Sequence, residues 1–255
     1  MAEASPRRGI QSIEIGYRLL QVLEQAPRAL PLREIALGAG LSPSAANNYL
    51  VSLVRTGLAA ADDKAGHYRL GPAAIGLGMS AIRQMDGFDV VRREVVALRD
   101  TTRHSAAVTA WTAEGPMSLF KQEGDLRSAL ELRTGLLSMT TTAAGKVFAA
   151  SLPQATTLPL IARDPRGAMS PARIAEAARE ELARAGYVVV RPDNGTGYAS
   201  AAAPIPDWSG AVRFVLSVIG SQATLMTEPG SPAIIALLAG AARATAALGG
   251  KPAKV

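Results

Sequence analysis

The sequence predicts an α+β protein with an N-terminal winged helix-turn-helix domain, a linker helix and a larger C-terminal domain of strands and helices. Residues 9–80 contain short amphipathic helical patterns separated by tight turns, and a hairpin pattern follows them. Residues 105–220 contain mainly strand and turn patterns with helices between them. We therefore expect domains over residues 1–80 and 105–255, joined by a helix over 81–104.

The N-terminal elements are predicted from apolar spacing and from capping residues. Ser42 and Pro43 combine a hydroxyl N-cap with a proline at the first helical position, which predicts a helix start. Gly57 is expected to end that helix. The expected elements are a helix from Ser12 that Pro27 ends, a helix Leu32–Ala39, a helix from Pro43 to about Thr56, and hairpin strands Leu58–Ala61 and His67–Leu70.

The remaining chain alternates helices and strands. Gly71-Pro72 is expected to open a helix to about Arg83, and Asp89 is expected to cap the linker helix through Arg103. Predicted strands are Ala106–Thr112, Met117–Gln122, Ala129–Arg133, a strand from Tyr187 to Val190, Gly197–Ala203 and Ala211–Val218. Predicted helices are Thr142–Ser151, one from Ser170-Pro171 to Gly186, and Ser231–Leu248.

The composition excludes several classes of function. The 255 residues include no cysteine, which excludes disulfide scaffolds, thiolate metal sites and cysteine nucleophiles. The two histidines, His67 and His104, lie far from any nucleophile-elbow or metalloprotease motif, so we expect no enzyme, no metal and no cofactor. The formal net charge of +6 permits an anionic partner without requiring one. Without a leader pattern or an apolar run that could cross a bilayer, we expect a cytoplasmic protein.

The third helix is expected to enter the major groove of double-stranded DNA through its N-terminal end. Asparagine bonds adenine N6 and N7, whereas serine and tyrosine more often contact phosphate. The hairpin would act as a wing over the DNA backbone. Candidate contacts are Ser42, Ser44, Asn47, Asn48, Tyr49 and Ser52 on the helix, with Lys64, His67 and Arg69 on the wing. A helical corner of this kind also occurs in protein–protein modules, which stays the alternative.

The segment Thr140–Lys146 is not a phosphate-binding loop. It lacks a glycine five residues before Gly145, and Val147 replaces the required serine or threonine. A helix N-terminus with free backbone N–H groups and threonine hydroxyls can hold a carboxylate. An ordinary capped helix is the alternative.

Six stretches, taken in order, carry a family resemblance. They are Ser12–Leu23, Leu32–Gly57, Tyr68–Gly71, Arg133–Ala150, Gly186–Tyr187 and Ala201–Ile205. In this order they resemble the IclR family of bacterial transcriptional regulators, over nearly the whole chain. The resemblance implies a winged helix, a linker helix and a C-terminal GAF-like α/β effector-binding domain. It also implies dimers, or dimers of dimers, that bind operator DNA and respond to small metabolites.

The resemblance also implies an effector site. Members that bind small carboxylates use the loop matching Met139–Gly145 and strand residues matching Ser200 and Ser217. Candidate effector contacts are Trp111, Phe120, Met139, Thr141, Thr142, Ala144, Gly145, Ser200, Phe214 and Ser217. The expected effector is a small organic acid, with an aromatic acid as one candidate, because large apolar residues can form walls for a ring. The same residues can equally be ordinary core.

One departure from the family concerns the third helix. Members usually carry basic residues where this chain has Asn47-Asn48. The alternative function is therefore a small-molecule-binding or partner-binding protein whose winged helix has lost specific DNA recognition. For the regulator, we expect closure around Met139–Gly145 to be relayed through the helix Asp89–Arg103.

Overall fold

The computed structural model describes residues 9–126, 134–164, 170–191 and 197–251. The chain divides into two compact units, Met1–Met85 and Asp86–Val255. This boundary falls inside the linker segment 81–104, between the helix predicted to end at about Arg83 and the helix predicted to be capped by Asp89. That segment contains the end of α4 (Pro72–Arg83) and all of α5 (Phe88–Thr102). Gly87 separates the two helices because its φ of +80° leaves the right-handed helical region.

The first unit is a three-helix corner with a small sheet. Its further helices are α1 (Gln11–Gln25), α2 (Leu32–Gly38) and α3 (Pro43–Arg55). Its strands are β1 (Leu30–Pro31), β2 (Ala59–Ala61) and β3 (His67–Leu70), which pair antiparallel in the order β1-β3-β2. The predicted helices and hairpin are confirmed to within about one residue at the described ends. β1 was not predicted, since two residues give no strand pattern.

The core of this unit joins all three of these helices. Leu19, Ile35 and Leu50 are fully buried and come from α1, α2 and α3 respectively. Gly71 lies at the base of the hairpin, where the backbone passes close to Gly57. A Cβ at this position would lie 2.2 Å from the carbonyl oxygen of Gly57, so only glycine fits. The turn before α3 and this core together determine which face of α3 is exposed.

The second unit contains a six-stranded antiparallel sheet. Its strands are β4 (Ser105–Thr112), β5 (Gly115–Gln122), β6 (Gly135–Leu136), β7 (Val188–Val190), β8 (Tyr198–Pro206) and β9 (Val212–Ser221). The order across the sheet is β6-β5-β4-β9-β8-β7. Its further helices are α6 (Ala143–Ser151), α7 (Gln154–Arg163), α8 (Pro171–Ala185) and α9 (Pro232–Ala247).

Helices cover both faces of this sheet. On β9, the Leu216 side chain lies against Gly240 of α9, whereas the neighbouring Val215 packs with Val147 of α6. Successive residues of a strand point to opposite faces. One face therefore carries α9, with α5 packed beside it, and the other carries α6. This layered α/β arrangement confirms the predicted fold class.

Most predicted elements of the second unit are confirmed, with β8 and β9 each extending three residues beyond the prediction. α7 was not predicted, because Pro159 inside it interrupts the helical pattern. The predicted strand Ala129–Arg133 lies outside the described residues. In the part of the chain that is described, no helix has the length and apolar character needed to span a bilayer.

Candidate functional site

The outward face of α3 is determined by the residues that the core takes. Ala46, Leu50 and Leu53 are buried, and Tyr49 packs half-buried against the same cluster. At 3.6 residues per turn these positions share one side of the helix. The opposite side is a stripe of four exposed residues, which we call the outer stripe: Ser44, Asn48, Val51 and Arg55. From the N-terminal end it presents a hydroxyl, an amide, an isopropyl group and a guanidinium.

The residues of α3 that the sequence predicts as DNA contacts differ in how exposed they are. Ser44, Asn48 and Ser52 are exposed, and the Ser52 hydroxyl donates to the backbone oxygen of Asn48 at 3.4 Å. Asn47 is half-buried on the flank of the helix. Tyr49 is also half-buried, packs against the core and lies off the outer stripe, so its contact with DNA stays a prediction. Val51 and Arg55 were missed, although the helical period of the core residues is a signal for both.

Ser42 serves the start of α3. Its side-chain oxygen accepts a hydrogen bond from the backbone N–H of Ala45 at 3.3 Å, and Pro43 follows in the first turn. The cap satisfies one of the N–H groups that a helix start leaves unpaired. The N-terminal turn of α3 is thereby held by its own side chain.

The wing is the β2–β3 hairpin. Lys64 is exposed at its tip, whereas the Arg69 guanidinium lies 3.8 Å from the Asp62 carboxylate. Nδ1 of His67 lies 3.2 Å from the backbone oxygen of Ala65. Of the three predicted wing residues, Lys64 therefore offers the charge that is most available to a phosphate.

Replacing Ser42 by alanine is expected to lower the free energy of unfolding by about 1 kcal/mol, because the helix loses its cap. Urea denaturation followed by circular dichroism measures the change. Ser44→Ala is the matched control, two residues away and exposed, and is expected to change stability by less than about 0.5 kcal/mol. Equal losses in the two variants would show that the cap contributes nothing.

Side-chain hydrogen bonds stabilise the loop before α6. The Thr142 side chain caps α6, accepting from the Gly145 N–H at 3.0 Å and donating to the Ser138 backbone oxygen at 2.7 Å. The Asp164 carboxylate accepts from the Ser138 hydroxyl at 2.5 Å and from the Thr140 hydroxyl at 3.0 Å. Asp164 is not among the predicted effector residues. No sequence pattern marks this contact, because 24 or more residues separate the partners.

Two buried hydroxyls lie unpartnered on the α6 face of the sheet. Ser217 pairs with Ala202, which packs on α6, and Thr109 pairs with Val215 on the same face. Neither the Ser217 nor the Thr109 hydroxyl has a hydrogen-bond partner among the residues described. Buried polar groups are normally hydrogen-bonded, so each unpaired one needs a ligand, a water or another explanation. On this face of the sheet, hydrogen bonds within the described residues leave these two hydroxyls unexplained.

Several predicted effector residues lie near this face. Ser200 is two residues from Ala202 on β8 and shares its face. The Trp111 ring packs on the Phe148 ring of α6, with 5.4 Å between their centroids, and it contacts the cluster that includes Met139. Thr141, Thr142, Ala144 and Gly145 form the start of α6 or the loop before it.

The structure places Phe120 and Phe214, which the sequence predicts as effector contacts, on the face of the sheet opposite α6. Phe214 alternates with Val215 on β9, and therefore points to the α5–α9 face together with Leu216. Phe120 lies 6.0 Å from the guanidinium of Arg92 on α5, which places it on that same face. Neither can line a pocket with Met139 across the thickness of the sheet. Strand register decides the face, and one sequence alone does not supply it.

A cavity of about 420 Å³ lies elsewhere in the second unit. Its walls come from α8, the β7 edge, the loop before α9 and α9 itself, and none of the predicted effector residues lines it. Tyr187 is buried there and donates to the Thr227 backbone oxygen at 3.0 Å. Within the described ranges, no group of three acidic or histidine side chains is placed to hold a metal ion.

His104 is buried at the start of β4, with 4% of its surface exposed. Burial lowers the pKa of His104 below 6.5, against a weaker opposing effect of a backbone hydrogen bond with Thr224. The folded protein therefore favours the neutral ring, and the unfolded chain takes up the proton first as the pH falls. Stability that is present above about pH 6.5 is expected to decrease below it.

Urea unfolding at pH 7.5 and pH 5.5 tests this expectation. The wild-type protein should lose stability at the lower pH, and His104→Asn should lose less between the same two values. His67→Gln is the control for removal of the other histidine. A wild-type stability that is equal at both values would contradict the assignment.

Residues 12–63 match the model of the IclR helix-turn-helix domain. The match covers α2, α3 and nearly all of α1, and it ends in the turn after β2, so the outer stripe lies on the third helix of the matched domain. A search of curated protein sequences returns no significant match.

Solved structures extend the IclR resemblance to nearly the whole chain. The crystal structure of HmgR from Pseudomonas aeruginosa is 25% identical, with a TM-score of 0.57, covering 94% of this chain and 99% of that one. An IclR transcriptional regulator from Alicyclobacillus acidocaldarius is 21% identical, with a TM-score of 0.79 and coverage of 95% and 100%. An IclR homologue from Microbacterium hydrocarbonoxydans, crystallised with 4-hydroxybenzoate, is 17% identical, with a TM-score of 0.74 and coverage of 93% and 98%. The domain match and this shared fold support an IclR-type DNA-binding regulator.

Proposed function

We propose that this protein is a ligand-responsive transcriptional regulator in the cytoplasm, which binds a roughly palindromic operator as a dimer or a dimer of dimers. Binding of a small organic acid changes operator occupancy. The observation that carries the proposal is the match to the IclR helix-turn-helix domain, together with the exposed hydroxyl of Ser44 and amide of Asn48 in the N-terminal half of α3.

Exposed apolar residues on two helices support self-association through the N-terminal unit. α1 and the residue before it expose Ile10, Ile13 and Tyr17 at helical spacing. α4 exposes Ile75, Leu77 and Met79. At helical spacing Ile75 and Met79 share one face of α4, whereas Leu77 lies on another face. Exposed apolar residues that share a face can mark interaction sites. A two-fold pair would place two recognition helices in successive major grooves, and for this reason the operator is expected to be palindromic.

The effector proposal rests on the α6 face of the sheet. The hydroxyls of Thr109 and Ser217 are unpartnered there, and Trp111 can form an apolar wall for a ring. The N-terminus of α6 favours a carboxylate, because its first N–H groups and the helix dipole are attractive to anions. The Microbacterium homologue bound to 4-hydroxybenzoate supports an acid with an aromatic ring. Met139, the start of α6 at Thr142–Gly145, and Ser200 complete the proposed site.

Coupling between ligand and DNA needs different ligand affinities in the two functional states. We place the relay in α5, which packs against β4 and β9, the strands that carry Thr109 and Ser217. A shift of these strands on ligand binding would reach α5, and its N-terminal end adjoins the segment that connects the two units.

The experiment is a calorimetric titration of small acids, starting with 4-hydroxybenzoate, into the full chain with and without a duplex that it has selected. We expect a different Kd in the two titrations. An acid that binds with the same Kd in both would contradict regulation by that acid. Ser217→Ala is expected to weaken acid binding while leaving DNA affinity in the absence of acid unchanged, and the exposed Ser209→Ala is its control.

A second candidate is a ligand-binding or partner-binding protein without specific DNA recognition. The observation that favours it is the lack of any basic residue on α3 before Arg55. This candidate predicts acid binding that duplex DNA does not affect, so the same titrations separate the two functions.

A further inference from the structure

We propose that α3 reads A·T base pairs, with the Val51 side chain in contact with a thymine methyl group beside an adenine that Asn48 bonds. The inference rests on the proposed DNA-binding function and deepens it, since it names the bases that the recognition helix takes. Its basis is the outer stripe.

Val51 is an apolar side chain on the face that the fold presents outward. It is 42% exposed and lies between Asn48 and Arg55 on the outer stripe. A lone exposed valine needs no explanation on an ordinary surface. On a helix that enters the major groove it has a specific partner, because thymine is the base that presents a methyl group there.

The spacing of the two residues fits neighbouring base pairs. Asn48 and Val51 are three residues apart, which is about 4.5 Å along the helix axis. Successive base pairs are about 3.4 Å apart along DNA. The amide of Asn48 can bond adenine N6 and N7 as donor and acceptor. One base pair read as adenine next to one read as thymine is therefore within reach of both side chains.

The turns of α3 that carry Asn48 and Val51 have no basic residue that could contact guanine. Guanine is most often read by arginine or lysine through O6 and N7. From Ser42 to Val54 the chain has no basic residue, and Arg55 stands in the last turn of α3. Because the N-terminal part of a recognition helix approaches the bases, Arg55 is placed for the phosphate backbone.

A second valine on α3 provides a matched control for Val51. Val54 is 37% exposed and follows three residues later, but it lies on the flank of α3, off the outer stripe. Val51→Ala and Val54→Ala remove the same atoms from the same helix. Both replace a β-branched residue by a better helix former, so neither is expected to unfold α3.

The experiment begins with selection of duplexes by the full wild-type chain from a random pool. In the best duplex, each thymine of the half-site is replaced in turn by deoxyuridine, which differs by the methyl group alone. We expect at least one replacement to raise Kd about fourfold per half-site, the effect of losing one buried methyl group. Val54→Ala should keep this penalty, whereas Val51→Ala should bind the thymine and deoxyuridine duplexes equally.

Two results would overturn the inference while leaving the DNA-binding function intact. One is a deoxyuridine penalty that persists in Val51→Ala. The other is a selected half-site whose central positions are G·C pairs. If the wild-type protein selects no duplex, the proposed DNA-binding function itself fails, and the inference fails with it.

Discussion

Asn48→Ala is expected to weaken binding to a selected operator by roughly 1–3 kcal/mol, or about 5–150-fold in Kd, with little change in binding to an unrelated duplex. Asn48 is exposed on the outer stripe of α3, where its amide can form two hydrogen bonds to one base. Contacts to bases carry sequence preference, whereas contacts to phosphate contribute equally to all sequences. Fluorescence anisotropy with both duplexes at physiological salt measures the two affinities.

Asn47→Ala is the matched control. Asn47 is the adjacent asparagine, but it is half-buried on the flank of the helix. Its removal is expected to change the ratio of specific to non-specific affinity less than removal of Asn48. If Asn48→Ala lowers both affinities by the same factor, Asn48 contacts phosphate or only supports the fold.

Gly145→Ala is expected to lower the free energy of unfolding by about 3 kcal/mol, at the upper end of what overpacking usually costs. A Cβ at Gly145 would lie 2.2 Å from the backbone oxygen of Ser138 and 2.8 Å from the Cα of Met139. Both atoms belong to the backbone, so neither can rotate away. The loop before α6 would have to move, and any acid bound there should bind more weakly.

Gly76→Ala is the control for this substitution. Gly76 lies inside α4, and a Cβ there would meet nothing within 4 Å. The helix is expected to gain about 0.5–1 kcal/mol from the alanine. Thermal and urea unfolding measure both variants. A Gly145→Ala protein that is as stable as the wild type, with unchanged acid binding, would contradict the close approach of loop and helix.

Features encoded by neighbouring residues could be predicted from the sequence. The start of α3 follows from Ser42 and Pro43, and its end follows from Gly57, whose φ of +72° suits glycine. The hairpin and most strands of the second unit follow from alternation and turn residues. The outer stripe was also predictable, because the helical spacing of Ala46, Leu50 and Leu53 indicates the buried face of α3.

Features set by distant contacts could not be predicted. The face on which Phe120 and Phe214 lie depends on strand register, which is a property of the whole sheet. The bond between Asp164 and Ser138 joins separate segments, and neither segment contains a motif for it. α5 is predicted as an amphipathic linker helix, and the structure adds that its Val91, Val95 and Leu98 are buried within the second unit. An amphipathic pattern shows that a helix buries one face, without showing what covers that face.

Selection from a random duplex pool, followed by a salt titration of the selected duplex, tests whether α3 recognises specific DNA sequences. The expected result is a palindromic consensus whose preference over random duplex persists at physiological salt, because base contacts remain when phosphate contacts are screened. Binding that is strongly salt-sensitive and indifferent to sequence, or no binding at all, would contradict the claim.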